Sequence, residues 1–188
     1  ADMHNTDKVV TLIEEVRTMK LRLDAPDVNA SEYKFTVNDE GRIIYGLGAI
    51  KGVGEGPVEA ITEARQDGPF KDLFDFCARV DLKRINKRTL DGLILSGALA
   101  RLGPCFHDEP KAYQASIDQN RAILLAALEE AIKAAEQTAR THDSGHDDLF
   151  GGVFVEEDAD VYANHRKAKE LTLKERLKGE KDTLGLYL

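Results

Sequence analysis

The sequence predicts a mainly α fold: a small β-hairpin, two helix pairs turned by short corners, one long amphipathic helix and an acidic linker. Three observations predict it. From Ala115 to Arg140 apolar residues recur at helical spacing, with Ile117, Leu124, Leu128, Ile132, Ala135 and Ala139 on one face. Ahead of that run, glycine and proline cut the chain into helix-length pieces at Gly52-Val53-Gly54, Gly68-Pro69 and Gly97. Beyond it, Thr141 to Asp160 holds seven acidic residues and no lysine or arginine, a composition that resists burial.

Bulk composition narrows the function classes. A net charge of −8 argues against a protein that coats nucleic acid by charge alone. That charge is uneven, however: Arg79 to Arg101 carries six basic residues against only Asp81 and Asp91. Cys77 and Cys105 make neither a disulfide framework nor a metal spacing, and the five histidines form no ligand pattern, so a reducing cytoplasm is the expected location. No apolar run is long enough to cross a bilayer and no signal peptide is present, so no membrane partner is expected.

Asn5 or Thr6 can cap a first helix with Val9, Ile13, Val16 and Lys20 on one face, ended by Ala25-Pro26-Asp27. Tyr33 to Val37 alternates in the strand manner, Asn38 to Gly41 supplies a turn, and Arg42 to Tyr45 returns as a second strand. This hairpin feeds residues 46–61, GLGAIKGVGEGPVEAI, around which the chain is organised. The stretch reads as a short helix ending near Lys51, a tight turn at Gly52-Val53-Gly54 with Val53 pointing inward, and a helix from about Gly56 to Gln66. Pro57 suits the first turn of that helix, and free amides at its start suit a phosphate.

Gly-hydrophobic-Gly between two short helices resembles the helix-hairpin-helix motif, which grips nucleic-acid backbones without reading sequence. Ile50, Val58 and Ile61 are the apolar positions that pack the helices, and Lys51, Gly52, Val53, Gly54 and Gly56 are candidate DNA-binding residues. A glycine-rich corner with no ligand produces the same pattern. A P-loop is disfavoured because no Gly-Lys-Ser/Thr follows, and a Rossmann turn because no buried strand leads in.

Phe70 to Arg79 reads as a helix with Phe70, Leu73, Phe74 and Cys77 on its apolar side. Asn86 is a good N-cap for a helix carrying Leu90, Leu93 and Ile94, which ends at Gly97. By position this is a second hairpin, making the helix-hairpin-helix tandem, but Arg84 and Asn86 stand where glycines would flank Ile85. Lys83, Arg84, Lys87 and Arg88 are candidates to reach phosphate by side chain; an ordinary solvated helix start is the alternative. Gly103 to Tyr113 reads as irregular, and Thr141 to Ala159 as an exposed linker. Within the linker, Leu149 and Phe150 have no core of their own to join. Tyr162 to Lys178 reads as helical, and the chain then stops at Leu188 with apolar residues still accumulating, as though cut.

Five pieces occur together and in order: Asp27 to Ser31, Tyr45 to Gly56, Ser96-Gly97-Ala98, the linker's Leu149-Phe150, and Glu180 to Leu188. Together they resemble the alpha subunits of bacterial DNA polymerase III, the C-family replicative polymerases, over essentially the whole chain. The resemblance implies an internal fragment. Residues 1–45 would be distal fingers with the β-hairpin, 46–103 the tandem helix-hairpin-helix region and 104–141 the long helix. Residues 142–161 would be a flexible linker with a clamp-binding motif, and 162–188 the start of a following domain. It implies DNA and the other replicase subunits as partners, and a parent that is a DNA-directed DNA polymerase using Mg2+ on palm aspartates upstream of Ala1. No cofactor and no catalytic residue is expected in the fragment itself, since Asp158-Ala159-Asp160 lies in the linker and two-metal chemistry needs rigid carboxylates. Clamp-binding peptides of such replicases resemble Gln-x-Asp/Ser-Leu/Met-Phe. Here His146-Asp147-Asp148-Leu149-Phe150 agrees at the last three positions and departs at His146, implying the ring-shaped sliding clamp as a partner. A free-standing helix-hairpin-helix module of a repair or recombination protein, and a purely structural helical domain, are the rival readings.

Overall fold

A computed structural model of the chain describes residues 3–143 and 159–188. The linker positions His146 to Phe150 lie outside the described residues. Six α-helices and a three-stranded sheet are described: α1 (Thr6–Thr18), β1 (Leu23–Asp24), β2 (Thr36–Val37), β3 (Ile43–Ile44), α2 (Glu55–Arg65), α3 (Leu73–Arg79), α4 (Lys87–Leu95), α5 (Pro110–Asp143) and α6 (Leu173–Leu184).

Helix α1 starts as its cap predicts, with the Asn5 side chain accepting the Lys8 amide. It buries Val9 and Ile13, but it ends at Thr18, and Lys20 adopts a left-handed φ of 59° outside the helix. The expected hairpin pairs β2 with β3 antiparallel, Thr36 opposite Ile44 and Val37 opposite Ile43. Its turn closes at Gly41, φ 73°, with the Asn38 side chain accepting the amides of Glu40 and Arg42. Strand β1, which the sequence does not announce, runs parallel to β3 on its other side with Leu23 opposite Ile43. Two residues are too few to display an alternation.

Helix α3 begins at Leu73, not Phe70, because two side chains claim the backbone ahead of it. Asp72 accepts the Asp75 amide at 2.8 Å, and Asn29 pairs with both the amide and the carbonyl of Phe70. Phe70 is still buried, as is Phe76, while Phe74 is only partly so. Helix α5 begins earlier than the apolar stripe, at Pro110, and continues past Arg140 to Asp143. The Glu109 carboxylate accepts the amides of Lys111 and Ala112, and Pro110 has no amide to satisfy in that first turn. Along it Ile117, Leu124, Leu128 and Ala135 are buried, whereas Ala139 is exposed.

The C-terminal reading is corrected most. Of residues 162–172 only Ala163–His165 coils, in one short 3-10 turn, and α6 then runs through Gly179 to Leu184. Its start is a capping box, Thr172 accepting from Glu175 and Glu175 accepting from Thr172, and Gly185 ends it at a φ of 73°. Gly179 is tolerated because α6 lies close on Leu95; a Cβ there would sit 3.0 Å from that side chain. One buried cluster extends from Val9 to Leu186, with α3 laid along α5 and α6 against α4. Tyr162 fastens the returning chain: its hydroxyl accepts the Leu73 amide at 2.8 Å and donates to the Leu102 carbonyl at 2.5 Å.

Candidate nucleic-acid interface

The two corners of the tandem are built alike and finished differently. Each places one apolar residue inward: Val53, 3% exposed, between α2 and a single 3-10 turn at Leu47–Ala49 that stands where the sequence predicts a short helix ending near Lys51, and Ile85, 2% exposed, between α3 and α4. Ile50, Val58 and Ile61 pack under the first, as their spacing predicts. Each is followed by a helix N-terminus, whose first amides have no partner in the helix itself. At the second corner the Asn86 side chain accepts the Thr89 amide at 2.8 Å, so the helix start is already occupied. At the first corner the N-cap is Gly54, which has no side chain to offer.

Among the described residues, no acceptor lies on the amides of Gly52, Gly54, Glu55 or Gly56. The neighbouring amides are spent internally, Val53 on Ile50 at 3.0 Å and Lys51 on the Thr183 carbonyl at 2.8 Å. The glycines divide by what requires them. A side chain at Gly46 would collide with the backbone of Lys34 at 2.6 Å, and one at Gly48 with the Tyr33 ring. Gly52 is held at a φ of 86°. Gly54, in contrast, has a φ of −83° that any residue adopts, and neither Gly54 nor Gly56 has an atom within 4 Å of a built Cβ. Nothing inside the protein demands glycine at 54 or 56, and a glycine within a helix costs about 1 kcal/mol relative to alanine.

The basic candidates separate in the same way. Arg84 reaches back to α2, donating to Glu59 and Glu63 at 2.8 Å each, so its charge is answered within the protein. Arg79 and Arg101 of the same basic run are also engaged. Arg79 bonds the Ala64 and Gly68 carbonyls that close α2, and Arg101 pairs with Asp27 and Asp108. Lys51, Lys83, Lys87 and Arg88 are exposed. Lys87 also faces Asp91, whose carboxyl is lifted by burial and pulled back down by that lysine. Glu55 adds a carboxylate at the first position of α2, next to the open amides. Sequence reasoning missed the Arg84 engagement, although Glu59 and Glu63, four residues apart on one helix face, were its signal. It also missed Thr89, whose hydroxyl lies 3.2 Å from the Gly52 carbonyl.

A turn sealed by a buried valine, an uncapped helix start and a packed twin define a helix-hairpin-helix module, and residues 20–106 match the helix-hairpin-helix motif family. Beyond that region, the whole chain is 91% identical to DNA polymerase III subunit alpha of Pseudomonas fluorescens. It is 48% identical to the subunit of Vibrio cholerae and 47% to that of Escherichia coli K12, again over its whole length. The chain thus matches these DNA polymerase III alpha subunits along its whole length, and it spans 15–16% of theirs. Among the described residues no helix is long and apolar enough to cross a membrane, and no group of three or more His, Cys, Asp or Glu is placed to hold a metal ion.

Proposed function

We propose that this segment holds DNA to a replicative polymerase by its backbone, without reading sequence, and that its linker carries the attachment to a sliding clamp. The observation that carries the first half is the head of α2. Its amides are unclaimed, the two glycines there serve no internal need, and an oriented helix start favours a phosphate. Lys51 on the first corner and Lys83, Lys87 and Arg88 on the second add exposed cations. A free-standing repair module is disfavoured, since identity to polymerase alpha subunits continues through all of the chain outside the motif. Catalysis, with its Mg2+, is assigned to palm carboxylates of the larger protein.

The test of the DNA reading is Gly54→Val, which the free fold accommodates and an approaching phosphate would not. Affinity should fall about equally for unrelated sequences and should decline with salt as counterion release requires. Loss confined to one sequence would contradict backbone recognition. The clamp reading rests on Leu149 and Phe150, two bulky apolar residues in an acidic setting. Burying each in a partner pocket contributes about 1.5–3 kcal/mol, part of it offset by ordering the chain. A double substitution, Leu149→Ala with Phe150→Ala, in the whole polymerase should abolish the gain in synthesis on adding clamp and leave clamp-free synthesis intact. An equal fall in both would show the pair to be structural.

A further inference from the structure

The carbonyl of Gly52 faces α4, where the Thr89 hydroxyl lies 3.2 Å away. That hydroxyl has one hydrogen and two acceptors in reach, the second being the Asn86 side-chain oxygen at 3.1 Å. Asn86 already accepts the Thr89 amide, whereas among the described residues nothing else donates to the Gly52 carbonyl. The proton therefore satisfies more groups when it is given to Gly52. Thr89 is 5% exposed, so water competes poorly for the bond. The peptide joining Gly52 to Val53 is a rigid plane, and its other end is held too, by the Val53 amide on Ile50 at 3.0 Å. Both ends of the peptide that precedes Val53 are thus fixed, which anchors the turn one residue ahead of the open Gly54 amide.

We propose that Thr89 is a positioning residue for the first corner, and that the second corner has become its brace. Arg84 completes the brace by holding α2 through Glu59 and Glu63. Neither residue touches the phosphate. The assignment rests on the phosphate-binding reading of the first corner, and the experiment separates the two.

In the full-length polymerase, DNA affinity is measured for Thr89→Val, which keeps shape and removes the donor, and for Thr89→Ser, which keeps the donor. Leu93→Ala serves as the destabilised control, since it opens the buried face of the same helix and leaves the Thr89 donor to Gly52 in place. Thr89→Val should weaken binding about threefold to tenfold, the worth of one hydrogen bond, with an unchanged salt slope because the same phosphates stay neutralised. Thr89→Ser should restore it. If Thr89→Val loses no more affinity than Leu93→Ala, or if serine fails to rescue, the brace is overturned. A Gly54→Val that still weakens binding would then leave the phosphate site standing. A Gly54→Val without effect would remove that site as well.

Discussion

The Arg121 guanidinium, 2% exposed, donates at 2.9 Å to the fully buried Glu180 carboxylate and joins the middle of α5 to α6. The other Glu180 oxygen accepts the Leu188 amide at 3.1 Å. Gly97, at a φ of 86°, turns directly over the arginine, a built Cβ lying 3.1 Å from its nitrogen. The pair therefore sits where α4 ends, α5 passes and α6 returns. Arg121→Leu or Glu180→Leu alone should cost about 3–5 kcal/mol of stability, because each strands a buried charge. The double change should cost less than either. Urea unfolding checks this, and single variants within about 1 kcal/mol of the parent would show the pair to be dispensable.

Alkaline pH should loosen the fold. Burial, with Asp72 adding to it, pushes the Cys77 thiol up from 9.0 to about 12, and burial alone pushes Tyr45 from 10.0 to about 12. Burial lifts the Tyr162 hydroxyl as well. Each group keeps its proton longer folded than unfolded, so its contribution is complete below pH 9.0 and is lost as pH rises toward about 12. The urea midpoint should fall across that window, and Cys77→Ala should remove the thiol's part. A midpoint that stays level up to pH 11 would contradict the burial of these groups.

Neutralising Lys83, Lys87 and Arg88 should flatten the salt dependence of DNA binding by roughly 0.9 for each phosphate that is no longer neutralised. Arg84→Ala should behave differently. Its charge is answered by Glu59 and Glu63, so the slope should hold while the affinity drops through looser placement of α2. A slope that changes more for Arg84 than for the other three would reverse this assignment.

Glu55 stands at the first residue of α2, where its carboxylate would repel a phosphate held on the open amides. Glu55→Gln should strengthen DNA binding about threefold to fivefold at low salt, an effect that shrinks as salt screens it. Weaker binding by this variant would mean that the head of α2 faces away from DNA.

What could be read from the sequence was set by local chemistry. Asn5, Asn86 and Gly97 mark helix ends by what their own side chains or backbones can do, and each is found in that role. Val53 and Ile85 were legible as the inward residues of two corners because their neighbours are glycine or polar. Some boundaries were missed through local caps, Glu109 at α5 and Thr172 at α6, and other failures involve distant partners. Asn29 delays α3 by bonding Phe70, Leu95 leaves little space for a side chain at Gly179 inside α6, and Ile43 recruits the two-residue β1. The division of labour between the two corners was half visible: the replacement of glycine by Arg84 and Asn86 showed, but the ties of Arg84 and Thr89 to the first corner did not.

Asn86 has a further consequence for how the two corners came to differ. Its amide oxygen takes the very place at the head of α4 that an incoming phosphate would take, so the protein supplies its own imitation of the ligand there. At a φ of −84° and ψ of 167° any residue fits the position, and glycine as an N-cap costs only a few tenths of a kcal/mol relative to asparagine. Asn86→Gly would uncover the Thr89 amide and give the second corner the chemistry of the first, leaving the Thr89 hydroxyl committed to Gly52 alone. With the first corner holding phosphate as proposed, one codon would separate a single-handed grip on DNA from a two-handed one, and strength of hold could drift in evolution without any change of fold.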